Sequence, residues 1–368
     1  MTMKKSLIAV AVASAASVPM AAQAAPELYG IVDIGVESLS TDDGGSGVVF
    51  GGLNSVGSQS DDKDFTLSNG LQSRLGVRGS EDLGNGLTAS YRMEFAVDVL
   101  NESGGSTAGT ANGLTTRLGW AALSGDWGQI KAGAQWQDTF AYAAWNTHRT
   151  DVHGYGAYYY TTGLMPGSLG FGFRQDSTIS YQYGGGGYST DPFTFSVQAN
   201  IGEDFGAAGG NEDGISAISA YAAGTFGPVT INGGVVSTSV EPGAGGSAAE
   251  PSLYNIGGRW RINDTIELGT NFTQADSDNA NDLERDSFTI AGFFTFSDGW
   301  SAHLGLGTGS EDSNGVENDL DSDVYGYVKK ALSSRTDIRL EFENAQVEGT
   351  AGSDPESSVF LLALQHNF

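Results

Sequence analysis

The sequence predicts an all-β fold, a 16-stranded antiparallel transmembrane β-barrel with short turns at one end and long loops at the other, and three observations predict it. Apolar and polar residues alternate with period two in one segment after another, each of roughly 10 residues, the length of a tilted membrane strand. The connections between those segments alternate between short and long. The final stretch, Ser358–Phe368, sets Phe360, Leu362, Leu364 and Phe368 on one face, with His366 in the same register. A closing aromatic suits the girdle at a membrane boundary.

The N-terminal segment stands apart. Lys4 and Lys5 precede an apolar run from Leu7 to Val18, followed by Ala22-Gln23-Ala24, small residues of the kind a signal peptidase reads. Residues 1–24 are therefore expected to be a secretory signal peptide and residues 25–368 the barrel. The apolar run falls short of the roughly 20 residues of a spanning helix, and no later stretch is long enough, so a helical membrane protein is excluded; a soluble secreted protein fits these facts as well as a barrel does, and the choice between them comes from pattern. The absence of cysteine excludes a disulfide framework, a thiolate metal site and a lipoprotein anchor. Glycine makes up 55 of 368 residues without a Gly-X-Y period, and aromatics reach 10%, which excludes both collagen and a disordered linker.

Alternation bounded by turn residues places strands at 27–36, 71–81, 87–99, 115–124, 129–137, 176–183, 193–201 and 214–226. Eight more follow at 229–239, 252–262, 265–275, 286–296, 300–309, 323–332, 336–347 and 358–368. An even count is what a bacterial barrel requires. Short turns fall at 82–86, 125–128, 227–228, 263–264, 297–299 and 333–335, and Gly184–Gly187 marks a longer one. Between them lie long connections near 37–70, 100–114, 138–175, 202–213, 240–251, 276–285, 310–322 and 348–357. Short periplasmic turns and long outer loops give this asymmetry.

The two faces differ in chemistry. Ile266, Leu268 and Phe272 oppose Glu267, Asn271 and Thr273, and Ile338, Leu340 and Phe342 oppose Asp337, Arg339, Glu341 and Glu343. A soluble β-sandwich alternates too, but turns its charged face to bulk solvent. A barrel of about 16 strands is too wide for side chains to fill, so it encloses water and transport is its expected task.

The string Ser73-Arg-Leu-Gly-Val-Arg-Gly-Ser-Glu-Asp-Leu-Gly-Asn-Gly-Leu87 closely resembles the Gram-negative trimeric porins of the neisserial and Burkholderia type. Further matches are Leu28-Tyr-Gly-Ile-Val-Asp-Ile-Gly35, Arg117-Leu-Gly-Trp-Ala-Ala-Leu123 and Gly125-Asp-Trp-Gly-Gln-Ile-Lys-Ala-Gly133. Ser177-Thr-Ile-Ser-Tyr181, Ala331-Leu-Ser-Ser-Arg-Thr336 and Leu364-Gln-His-Asn-Phe368 extend the likeness to the end. The resemblance implies an outer-membrane homotrimer, set in lipid and lipopolysaccharide, whose pores pass ions and small hydrophilic solutes by diffusion. It also implies that the third outer loop folds inward and narrows the lumen. Residues 138–175 hold that place, with Asp138, His148, Arg149, Asp151 and His153 as constriction residues beside the tyrosines at 155 and 158–160. Arg74, Arg117 and Arg174 match the basic wall positions that face this loop.

After removal of Lys4 and Lys5 with the signal, 17 − 2 = 15 basic residues stand against 44 acidic ones, a net of −29. Of the acids, 27 fall in the long connections, so the surplus belongs to the outer surface, where it draws cations, and nucleic acid is excluded as a partner. The positive charge is placed differently. Arg74 and Arg78 flank Gly76, Arg92 opposes Tyr91 and Phe95, and Lys131 opposes Ile130 and Trp136, which with Arg117 gives a basic sector on the polar register of strands 2 to 5. A basic wall facing an acidic loop orients polar solutes. The plainer alternative is that these groups solvate the lumen or pair with Glu94 and Asp138. Where the family often carries Arg after the glycine of the fifth strand, this chain has Ala134, so anion preference is not implied. Exposed charges are screened beyond about 8 Å at physiological salt and about 3 Å near 1 M. Weak cation preference is expected in dilute buffer, with the wall gaining weight in concentrated salt.

Other chemistry is not expected. The acidic runs Glu311 to Asp323 and Asp276 to Glu284 lack the glycine and terminal glutamate of an EF-hand loop, and read as solvated charge, with divalent ions bridging to lipopolysaccharide as the alternative. His148 and His153 are too weakly spaced for a metal pair, no cofactor is called for, and none of His148, His153, His303 and His366 stands in a catalytic string, so no enzyme is expected. The rival to simple diffusion is a substrate-specific channel whose constriction binds one class of solute.

Overall fold

In hydrocarbon, backbone N–H and C=O groups find partners only on one another, so strands must pair on both edges until the sheet closes. The computed structural model describes residues 25–42, 63–69, 73–100, 114–149, 174–201, 215–238, 251–277, 283–313, 315–349 and 356–368. The expected signal peptide, Asp151, His153 and the tyrosines at 155 and 158–160 lie outside the described residues. The strands are β1 (Glu27–Asp42), β2 (Lys63–Asn69), β3 (Arg74–Gly84), β4 (Leu87–Val97), β5 (Leu114–Gly125), β6 (Gly128–Trp136), β7 (Arg174–Tyr183) and β8 (Phe193–Ile201). They continue as β9 (Ile215–Phe226), β10 (Val229–Thr238), β11 (Ser252–Arg261), β12 (Ile266–Asp276), β13 (Leu283–Thr295), β14 (Trp300–Ser313), β15 (Val316–Ala331), β16 (Thr336–Gly349) and β17 (Glu356–Asn367).

Each strand from β3 on pairs antiparallel with its neighbour in sequence. The ring is sealed where β1 meets β17, from Ile31 opposite Asn367 to Asp42 opposite Glu356. Reciprocal bonds between Gly30 and Phe368, at 3.1 and 3.0 Å, extend the seam to the last residue. Both β2 and β3 pair with β1, so the seventeen segments make sixteen staves.

The broken second stave departs from the expected single strand at 71–81. Its pairing with β1 runs from Ile34 opposite Asn69 to Ile31 opposite Arg74, which leaves extra residues between the halves. Ser73 fills the gap in the ladder. Its hydroxyl accepts from the Asp33 N–H at 2.9 Å and donates to the Asp33 C=O at 3.0 Å, replacing the strand partner that the bulge removes. A second departure lies at β14 and β15, which run to a tight hairpin at 313–316 where a loop was expected over 310–322. Those strand ends carry acids on both faces and show no apolar alternation, because a ladder projecting into water needs none.

The turn between β3 and β4 holds Gly84, Asn85 and Gly86 at φ of 80°, 52° and 77°. Glycine and asparagine tolerate that left-handed backbone, as tight hairpins demand. On the outer face, Phe360, Leu362, Leu364, Ile338 and Leu340 are exposed, ready for lipid, whereas Arg339, Glu341 and Glu343 on the opposite parity are buried inside. Aromatics gather at the turn end: Trp127, Phe193, Phe226, Trp260, Trp300 and Phe368 are all exposed there, the girdle of a membrane boundary.

Replacing Ser73 with alanine leaves the Asp33 amide and carbonyl unpartnered, at a cost of about 1–3 kcal/mol. The expected result is a lower Tm for the folded barrel, read as an earlier heat-induced mobility shift on gels, with the strand content by circular dichroism unchanged.

Candidate functional site

The basic sector is organised around one carboxylate. Glu94, on β4, is fully buried and takes Arg92 Nη2 at 2.6 Å, Arg117 Nε at 2.9 Å and Arg74 Nη1 at 3.6 Å. Tyr29 donates to Glu94 Oε2 at 2.9 Å while accepting from Arg92 Nε at 2.6 Å. Three guanidinium groups share one carboxylate, so the cluster keeps two positive charges. A buried carboxylate is tolerable only when its lone pairs are filled in this way.

Arg117 reaches the cluster through a bulge. Opposite β4, Glu94 pairs with Leu118 and Phe95 with Thr116, so Arg117 is an extra residue in β5. The polar register expected for Arg117 is not what the ladder gives: strict alternation from Trp120, which pairs with Arg92, would turn it toward lipid. The bulge re-aims it inward.

The other basic residues are placed differently. Arg78 leaves the cluster for the rim, where both of its nitrogens meet Glu27 at 2.8 Å. Lys131 lies 5.2 Å from the centroid of the Trp120 ring, and Arg174 lies 5.3 Å from that of Trp136.

The third loop crosses the inner wall. A wide helical turn, Thr139–Ala143, and a tighter one, Ala144–Asn146, carry it from β6 across β8 to β15. Asp138 N–H donates to Gln198 Oε1 at 3.2 Å, and its carboxylate accepts from Ser219 at 3.0 Å. Asp138 therefore points into β8 and β9 and away from the arginines. Tyr142 meets Thr194 at 3.2 Å and packs on Tyr221. Asn146 exchanges bonds with Asn232 at 3.0 and 2.9 Å and donates to Asn271 at 2.8 Å. The Thr147 carbonyl accepts from His303 Nε2 at 2.9 Å and from Tyr325 at 3.2 Å, and His148 stacks on Tyr325. His148 is thus an anchor against the wall, while Arg149 ion-pairs with Glu267.

Comparison with known proteins fits this geometry. Residues 9–344 match the profile of the Gram-negative porin family. This chain belongs to that family. Over 132 residues it is 36% identical to the major outer membrane protein P.IB of Neisseria gonorrhoeae, a stretch covering 36% of this chain and 32% of that protein. The match thus spans about a third of the curated relative's length. The fold resembles the anion-selective porin from Comamonas acidovorans with a TM-score of 0.70 at 19% identity, covering 94% of this chain and 99% of the other. It also resembles the trimer form of OmpT from Vibrio cholerae, with a TM-score of 0.66 at 18% identity, covering 95% and 100%. Family and barrel place the protein in the outer membrane.

The porin's lumen holds two features that the alternation pattern did not reveal. The long turn between β7 and β8, residues 184–192, reaches inward across the wall as far as β11, where Arg259 donates to the Gly187 and Ser189 carbonyls at 3.0 and 3.3 Å. Arg149 and Arg261 also ion-pair with Glu267, and Arg259, bound to the turn, is close enough to feel the charge of all three. Both arginines of β11 have inward parity, which was the available signal, but Arg261 next to Ile262 reads as a strand end. Among the described residues, no group of three or more His, Asp or Glu converges as a metal site.

Two groups tie the porin's loop docking to pH. Burial pushes the Asp138 carboxyl up to about 7, against the opposing pull of the Ser196 and Ser219 hydroxyls and the Lys131 charge. Burial, aided by His303, pushes His148 down to about 3, so its ring is neutral. A raised carboxyl favours docking when protonated, so this contribution is complete below the ordinary carboxylate range and is lost as pH rises through about 7. Between about pH 4 and pH 8, open-channel noise should therefore rise in the wild type and stay flat in Asp138→Asn.

A Cβ on Gly269 would lie 1.8 Å from the Asn146 carbonyl oxygen. Gly269→Ala should push the loop off the wall, giving larger and noisier single-channel steps from a barrel of normal strand content.

Proposed function

We propose that this porin forms a water-filled channel for passive diffusion of ions and small hydrophilic solutes, working as a homotrimer in outer-membrane lipid and lipopolysaccharide, without chemical turnover. The observation that carries the reading is the lumen itself: a closed ring of sixteen staves with a polar inner face, crossed by a loop pinned from β8 to β15. Likeness in fold to a structure described as a trimer supports the assembly. Residues 1–24 serve in this reading as the export signal.

Selectivity follows from two fields in different places. The acidic surplus at the outer mouth enriches cations and is screened by salt, while the cluster around Glu94 acts within a few ångströms of a passing ion. The channel prefers cations weakly in dilute buffer and shifts toward anions as salt rises.

Zero-current potentials across planar bilayers in a KCl gradient test this directly. Glu94→Gln raises the cluster from two net positive charges to three and should move selectivity toward anions. Arg74→Ser with Arg117→Ser lowers it to zero and should move selectivity toward cations, with conductance steps still arriving in threes. Potentials indifferent to both variants count against the basic wall, and absence of steps from folded protein counts against the channel.

A further inference from the structure

We propose that the periplasmic half of the lumen holds a second solute-binding station, where the inward turn meets the third loop, and that it takes a planar ring bearing a carboxylate. The inference rests on the channel reading, since a station inside the lumen matters only to a solute in transit.

The ring specificity comes from Trp145 of the loop and Tyr188 of the turn. Their centroids are 4.9 Å apart with the planes at 90°, so the two rings form a corner. Phe140 lies 6.4 Å from each of these rings, inclined at 65° and 69°, and closes one side of the corner. A further flat ring entering from the other side can stack on the exposed Tyr188 while presenting its edge to Trp145, the two arrangements that aromatic pairs prefer. Tyr188 is 41% exposed although it lies on a turn folded into the barrel, so its surface is open to the lumen. The corner is held from behind. Arg259 fixes the turn through the Gly187 and Ser189 carbonyls, and the Arg149 guanidinium lies 5.4 Å from the Trp145 ring and 3.7 Å from that of Phe293.

The charge specificity comes from the group around Glu267. Arg149, Arg259 and Arg261 set three positive charges against one negative charge, leaving two. Arg149 is committed to Glu267, and Arg259 to the turn. Arg261 is different: it is 58% exposed and stands 3.9 Å from Glu267, beyond hydrogen-bond distance. Its fork of N–H donors matches a carboxylate. Acetate offers the charge without the ring, and cyclohexanecarboxylate offers a ring that is not flat, so benzoate alone satisfies both demands. Binding has to be weak for the solute to leave, as conduction requires.

The test is block of KCl current through single trimers in planar bilayers by benzoate, cyclohexanecarboxylate and acetate, added on the turn side. Benzoate should reduce the current saturably at concentrations where the other two do not. Tyr188→Ala should raise its half-blocking concentration roughly threefold to tenfold, the loss expected from one aromatic contact. Arg261→Gln should weaken block by benzoate, measured against that variant's own unblocked KCl current. Tyr188 lies on a turn, outside the ladder, so normal steps in Tyr188→Ala certify the barrel in the same recording. Equal block by all three anions, or benzoate block unchanged in both variants, overturns the station and leaves the channel reading standing. Absence of KCl steps in the wild type overturns both.

Discussion

The pairing of β1 with β17 is the constraint on which the rest of the molecule depends. In lipid an open strand edge leaves a row of N–H and C=O groups unpartnered, each costing several kcal/mol, so the ring must close or the sheet cannot stay in the membrane. Closure fixes the register of every stave relative to every other. Fixed register sets which parity faces inward, and inward parity determines where Asn232 and Asn271 can meet Asn146 although they stand on strands two apart. The docking of the loop is therefore a consequence of closure as much as of its own sequence.

Charge inside the barrel follows a rule of paired minorities. Around Glu94 one carboxylate is shared by three guanidinium groups, and around Arg339 the proportions reverse, with Asp33 at 2.5 Å and Glu341 at 2.8 Å sharing one fully buried guanidinium. The two clusters occupy neighbouring sectors, β3 to β5 and β16 to β1. Charge of both signs is thus built into the wall itself. Among the described residues, the basic wall finds its acidic counterpart in the strands, since Asp138 of the loop is turned into β8 and β9. Breaking either cluster by removing its minority member would strand like charges together in a poorly solvated place.

Much of this was legible in advance, for a physical reason. Lipid on one side and water on the other impose a two-residue period that composition cannot hide, so Ile338, Leu340 and Phe342 declared one face and Arg339, Glu341 and Glu343 the other. The period fails wherever the backbone slips. Arg117 occupies the lipid-facing parity of β5 and joins the cluster only because a bulge inserts it, and the break between β2 and β3 is bridged by a serine hydroxyl that no alternation rule weighs. The inward turn was visible only as excess length at Gly184–Gly187. Its destination depends on Arg259, some 70 residues later, and contact over that separation leaves no local trace. Pairing of the arginines with Glu94 was open from the sequence as the plainer alternative, but that three of them converge there was not, because a lone carboxylate on a polar face gives no sign of how many partners it gathers.

In the channel proposed above the two fields act in series, and that decides how they combine. The acidic outer surface acts on concentration, raising the number of cations at the mouth over a distance set by the Debye length, about 8 Å at physiological salt. The arginine clusters act on passage, because a group within a few ångströms of the ion's path is separated from it by little mobile electrolyte and interacts through a medium less polar than bulk water. Added salt collapses the first effect and barely touches the second. A strongly negative chain and locally positive walls therefore involve no contradiction between net charge and the selectivity proposed: in that reading the acids of the long connections act at the mouth, and the few arginines around Glu94 and Glu267 act in the channel.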